Sequence, residues 1–168
     1  MQRLKFMLLI TICLSASLLK AQSMDSDFKL MLDSIYDRNV PLVSVDDFIQ
    51  MNKNEVFVLD IREEEEYKVS HLKNARHVGY FWFDMRKVYD IELDAQIVLY
   101  CSIGTRSEKI AQKLMNAGYK NVSILYGGIF EWVNSGQPVY KLSGVQTSEI
   151  HTYTKKWARW VEKGTRVN

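Results

Sequence analysis

Cysteine and proline are what this sequence has least of, with two of each in 168 residues, and its eight glycines are few as well. So little Pro and Gly, beside 47% hydrophobic and 25% charged residues, argues against disorder and leaves enough apolar material for one buried core. Internal repeats and low-complexity tracts are absent. Also missing is an apolar run of membrane-spanning length: "FMLLITICLSASLL", Phe6 to Leu19, has 14 residues where a bilayer needs roughly 20.

That stretch has another reading. Arg3 and Lys5 precede it and Ala21 follows, the arrangement of a secretory signal peptide over residues 1–21, cut after Ala21. An uncleaved anchor is the alternative. Export predicts a periplasmic or secreted protein. Losing Arg3, Lys5 and Lys20 with the signal takes the formal charge from +2 to −1, so no basic surface for nucleic acid or membrane is implied. Cys13 leaves too, and Cys101 alone cannot form an intramolecular disulfide. His71, His77 and His151 are neither paired at ligand spacing nor joined by a second cysteine, so the sequence implies no metal site.

What is present alternates between two periods. Residues 22–40 read as an amphipathic leader helix, with Phe28, Met31, Leu32 and Ile35 at helical spacing and Pro41 as its stop. "DDFIQMNKN" is a short helix. "EVFVLD" and "AQIVLY" are continuous apolar runs of strand length, "ARHVGY" is a shorter strand and "NVSIL" another. Between them "REEEEYKVS" is a polar helix, with Glu63 to Glu66 read as its solvated first turn, and "TRSEKIAQKLMNAG" carries Ile110, Ala111, Leu114 and Ala117 on one face before Gly118. "IFEWVNSG" is a last short helix. Such βα repetition predicts an α/β sandwich around a parallel sheet. From residue 141 to 168 the spacing of Tyr153, Trp157, Trp160 and Val161 predicts a helical tail. It either packs back on the domain or offers an aromatic face to a protein partner.

One stretch, "YCSIGTRSE", concentrates chemistry. Cys101 ends an apolar strand, and ligands in parallel α/β sheets bind beyond the carboxyl ends of strands. Thr105 and Glu108 stand at capping-box spacing, and Gly104 lets the loop curl so that its N–H groups and the helix start form an anion nest. Arg106 adds a positive charge. Together these favour thiolate over thiol at Cys101, the form that acts as a nucleophile. The competing interpretation, a small core residue beside a surface arginine, explains none of this coincidence.

Two segments, "VLDIREEEEYKVSHLKNARHV" and "IVLYCSIGTRSEKIAQKLMNAGYKNVSILYGGIFEWVNSGQPV", together resemble the single-domain rhodanese family of sulfurtransferases, over about residues 41–140. The resemblance implies a three-layer α/β/α sandwich around a mainly parallel, about five-stranded sheet. It implies Cys101 as the nucleophile that carries sulfur as a persulfide, cradled by Ser102, Ile103, Gly104, Thr105 and Arg106, with no cofactor. The substrates implied are a small sulfane-sulfur donor, such as thiosulfate or polysulfide, and a thiol or cyanide acceptor. Asp60 and Arg62 match the family's Asp-x-Arg, a brace for the active face. Gly127 and Gly128 match its glycine pair beside the active loop, and Trp132 its core tryptophan. His71 falls in "SHLKNA", where members commonly have "GHIPGA", and reads as structural.

The six-residue loop from Cys101 to Arg106 is one residue shorter than in the related phosphatases and arsenate reductases, which ranks phosphate chemistry below sulfur transfer. A thiol redox enzyme lacks a resolving cysteine here. The remaining alternative is a rhodanese-fold binding or persulfide-carrier module. Ser102 and Ile103 are uncharged where some thiosulfate-using members carry basic residues, so the donor stays open.

Overall fold

The computed structural model describes residues 26–52 and 54–168. The expected signal peptide, with Cys13, lies outside the described residues. So does the start of the leader helix. Helix α1 covers 26–35, stopping short of Arg38, with Lys29 paired to Asp33 one turn on and Ser34 Oγ donating to Met31 O. The chain divides into two units, Met1–Ile35 and Tyr36–Asn168.

The second unit is built on a five-stranded sheet, β1 (Leu42–Val43), β2 (Val56–Asp60), β3 (Arg76–His77), β4 (Gln96–Tyr100) and β5 (Asn121–Leu125), ordered β1-β5-β4-β2-β3. Every pairing in it is parallel. Helices α2 (Val45–Gln50), α3 (Glu64–Val69) and α4 (Thr105–Asn116) connect strands of the sheet, and with α5 (Gly128–Asn134), which follows β5, they complete the α/β/α sandwich. The central strand shows why the apolar runs are unbroken: Ile97, Val98, Leu99 and Tyr100 are all fully buried, because a parallel strand with neighbours on both sides is covered on both faces. Ser44 caps α2 by accepting from Asp47 N at 3.0 Å. Gly118, at φ +100°, ends α4.

Register sets the site. Val56 lies beside Gln96 and Asp60 beside Tyr100, so β2 and β4 end level, and Ile61 N continues the ladder to Tyr100 O at 2.9 Å. Arg62, two residues past β2, and Cys101, directly after β4, therefore emerge at the same sheet edge.

The tail differs from its expected single helix. β6 (Val139–Tyr140) forms an antiparallel pair with β7 (Gln146–Thr147), and β8 (Glu149–His151) pairs in parallel with β9 (Thr165–Val167) across a four-residue α6 (Lys155–Ala158). Strand pairing overrides the helical spacing: Ile150, Thr152 and Val161 are fully buried, and Tyr153, at φ +63°, turns the chain where a helix would continue. Tyr153, Trp157 and Trp160 consequently do not share a helix face, and the aromatic partner surface built on that helix does not form. Among the described residues no helix is long and apolar enough to cross a membrane.

Candidate active site

Cys101 follows β4 directly and is 1% exposed. The next three residues turn the chain into α4, and Gly104 makes the turn possible by adopting φ +103°. Its N–H points back and donates to Cys101 Sγ at 3.0 Å. Gly104 is also the N-cap of α4. Thr105 lies inside the helix with no side-chain cap, and Glu108 instead accepts from Arg38 N at 3.1 Å, so the expected Thr105–Glu108 capping box does not form.

The charge at Arg106 is spent locally. Its Nη1 and Nη2 donate to the two oxygens of Glu66 at 2.6 and 2.8 Å, and Nη2 also reaches Ser102 Oγ at 2.9 Å. The Ser102 hydroxyl donates to Glu66 Oε1 at 3.0 Å. Glu66 is 1% exposed, which corrects the solvated-turn reading at this one residue, while Glu64 and Glu65 are exposed as that reading expects. It is the third residue of α3, and its carboxylate also accepts from Glu63 N, closing a capping box there. Burial alone would raise the Glu66 carboxyl, but hydrogen bonds and charge from Arg106, with Arg62 behind, hold it below the ordinary carboxylate range. With Arg106 neutralised, the polarity at Cys101 comes from the backbone: the Gly104 N–H and the start of a 12-residue helix.

Asp60 and Arg62 form a fully buried ion pair, Nη2 to Oδ2 at 2.6 Å, with Arg62 Nε donating to the same carboxylate. Arg62 Nη2 also donates to Ser70 O at 2.6 Å, and its guanidinium lies 5.5 Å from the centre of the Tyr100 ring. The pair thus ties the end of β2 to the chain after α3 and to the residue preceding Cys101. His71 stacks on Tyr67 at 4.4 Å and bridges to Tyr140 through its backbone, away from the cysteine loop's hydrogen bonds.

The glycine pair locks the loop from the other side. Gly128 has φ +58°, and a Cβ there would lie 2.3 Å from Cys101 O. This close approach lets the first N–H groups of α5 bond the loop: Ile129 N to Cys101 O at 2.9 Å and Phe130 N to Ser102 O at 3.2 Å. Gly127 N donates to the hydroxyl of Tyr36 at 3.1 Å, and that hydroxyl donates to Ile103 O at 2.8 Å. Trp132 binds Pro138 O at 2.9 Å and meets Phe48 edge-on at 5.6 Å.

Tyr36 and Glu66 are the two members of the site that sequence reasoning missed. Glu66 is indistinguishable in sequence from its three glutamate neighbours. Tyr36 stands 67 residues from the carbonyl it binds, and only its place one turn after Leu32 marks it as inward-facing. On the outer side, Tyr153 of the tail lies against Arg106, 4.8 Å from guanidinium to ring centre. Among the described residues no group of His, Cys, Asp or Glu is arranged to hold a metal ion.

A buried cysteine at the end of a central parallel strand, in a six-residue loop held by backbone donors, defines a thiol site of the rhodanese type. The chain belongs to the rhodanese-like domain family, which it matches over residues 44–135. Thiosulfate sulfurtransferase GlpE of Coxiella burnetii is 30% identical over 86 residues, spanning 49% of this chain and 76% of that protein. Adenylyltransferase and sulfurtransferase UBA4 of Candida albicans is 33% identical over 106 residues, and a tRNA uridine(34) hydroxylase of Wigglesworthia glossinidia brevipalpis is 33% identical over 90. These spans are 56% and 49% of this chain but only 24% and 28% of those longer proteins. Among solved structures, a thiosulfate sulfurtransferase from Pseudomonas aeruginosa superimposes with a TM-score of 0.57 at 22% identity, covering 70% of this chain and 23% of that one. BH2092 protein from Bacillus halodurans gives 0.56 at 20%, covering 71% and 88%. Both share the fold.

Proposed function

We propose that this chain is an exported sulfurtransferase that accepts a sulfane sulfur on Cys101 and passes it to a thiophilic acceptor. The observation that carries the reading is the Cys101 sulfur itself, almost fully enclosed and held by the Gly104 N–H at 3.0 Å. With thiosulfate as donor, the Cys101 thiolate attacks the outer sulfur, the S–S bond breaks and sulfite leaves with the bonding pair. Cys101 becomes a persulfide anion. An acceptor nucleophile, cyanide or a thiolate, then attacks the terminal sulfur and expels the Cys101 thiolate, giving thiocyanate or a new persulfide. The backbone donor and the helix start favour the anionic sulfur at both stages, and the enclosure limits the contact of a persulfide with bulk water.

The pairing of Arg106 with Glu66 supports a second reading, a persulfide carrier with little turnover of its own, since the loop keeps no unpaired cation to attract a small dianion. Polysulfide or a protein persulfide would then load Cys101 better than thiosulfate. Intact mass spectrometry after thiosulfate or polysulfide, beside Cys101→Ser, tests both readings. One added sulfur, absent in the variant, with thiocyanate formed on adding cyanide, supports the enzyme. The adduct without turnover supports the carrier, and no adduct from either donor defeats both. Export rests on the signal-like residues 1–21, and its check is the N-terminal sequence of the protein recovered from periplasm or medium.

A further inference from the structure

We propose that Tyr36 is a positioning residue for Cys101, acting through the single peptide unit that joins Ile103 to Gly104. The Tyr36 hydroxyl donates to Ile103 O at 2.8 Å, and the N–H of that same peptide, on Gly104, donates to Cys101 Sγ at 3.0 Å. A planar amide is one conjugated group, so a donor on its oxygen draws electron density from its nitrogen and makes the N–H a stronger donor. The hydroxyl is in turn polarised by the Gly127 N–H at 3.1 Å. Three hydrogen bonds thus run in one direction, from Gly127 through Tyr36 and the peptide to the sulfur. All of them strengthen as negative charge gathers on Cys101.

The surroundings fix this chain in place. Tyr36 is 7% exposed, and its ring stacks on Tyr126 at 5.6 Å between centres. A Cβ on Gly104 would lie 1.8 Å from the Tyr36 oxygen, so the loop closes on the tyrosine only because residue 104 is glycine. Burial, and then the neighbouring Cys101, hold the Tyr36 hydroxyl far above its ordinary range, so it remains a donor wherever the cysteine titrates. The other ionisable groups around the loop are Arg106 and Glu108 on α4, Glu66 on α3, Arg62 after β2, Tyr126 after β5, and His151 and Tyr153 in the tail. Arg106 and Glu66 neutralise each other, and Tyr153 and His151 lie on their side of the loop. Among the described residues, the hydrogen-bond chain through Tyr36 is the one that ends on the sulfur itself.

The proposal rests on Cys101 being the reactive thiol but not on sulfur transfer. Its test is the rate of Cys101 alkylation by iodoacetamide, a neutral reagent, from pH 5 to 10 in the wild type and Tyr36→Phe. The phenylalanine keeps the ring and removes only the hydroxyl. The expected result is a profile displaced upward by about one pH unit, so that alkylation at neutral pH slows about tenfold while the high-pH plateau is kept. Incorporating 3-fluorotyrosine at position 36 makes the hydroxyl a stronger donor without removing it, and should move the profile downward. It also decides the matter if Tyr36→Phe does not fold. Unmoved profiles in folded protein overturn the proposal. A displaced profile in a protein that takes up no sulfur would sink the sulfurtransferase reading and leave this one standing.

Discussion

Replacing Glu66 by glutamine removes a charge at the centre of the loop's support while keeping its volume. The glutamine oxygen can still accept one hydrogen bond, but its NH₂ faces a guanidinium that now has no counter-charge. Breaking one side of a buried ion pair costs about 3–5 kcal/mol. The Arg106 side chain is 14% exposed and can take up water, and one hydrogen bond survives, so the expected loss is about 2–3 kcal/mol. In a chain of this size that is a fall in Tm of roughly 5–10 °C. Urea unfolding at pH 7 reads it as a lower midpoint at unchanged slope. Because the folded carboxyl is held below its ordinary value near 4.5, its contribution is complete above that pH and disappears as pH falls through the lower folded-state value. The gap between wild type and Glu66→Gln should therefore be constant from pH 6 to 9 and close on the acid side. Adding Arg106→Met should recover part of the loss, since both buried charges are then gone. A single variant within about 0.5 kcal/mol of wild type, or additive losses in the pair, would refute the reasoning.

Gly128→Ala meets both a positive φ and a carbonyl 2.3 Å from the new Cβ, so it should lose about 2 kcal/mol or more and expose Cys101 to alkylation, read by unfolding midpoint and thiol labelling. Asp60→Asn strands Arg62 in a site with no exposure and should cost about 3–5 kcal/mol in thermal unfolding, more than replacing both residues by leucine. His151 is held below its ordinary value, first by burial and then by Arg62 and Arg106 against the opposing pull of Glu66. The unfolded chain then binds its proton better, so stability should fall as pH drops from about 6.5 through the folded value; His151→Gln should flatten that slope in urea midpoints measured from pH 5 to 7.5.

Residues adjacent in the chain carried most of the architecture. The unbroken apolar runs that end at Asp60 and Tyr100, the 3.6-residue repeat of Ile110, Ala111 and Leu114, and Gly118 after them give β2, β4 and α4 within a residue or two, because strand burial, helix faces and helix stops are set by near neighbours. They also put Cys101 in a glycine-turned loop at a strand's carboxyl end. The tail was misread for the same reason. Tyr153, Trp157 and Trp160 have helical spacing, but Ile150 and Arg166, 16 residues apart, are paired strand residues, and no local pattern announces that partnership.

Taken alone, the sequence determined a parallel α/β sandwich and the placing of Cys101 in a six-residue loop, since periodicity and turn chemistry need only short-range information. Tertiary structure decided which residues hold that loop. Glu66 rather than Glu63, Glu64 or Glu65 takes Arg106, from 40 residues away, and Tyr36 reaches the loop from 67. For Glu66 the choice follows from strand order: β2 is the parallel neighbour of β4, so the segment that leaves its carboxyl end comes out at the edge where Cys101 emerges. A charge or a hydroxyl acquires its role from what the folded sheet sets within 3 Å of it, and that distance is not written in any window of the chain.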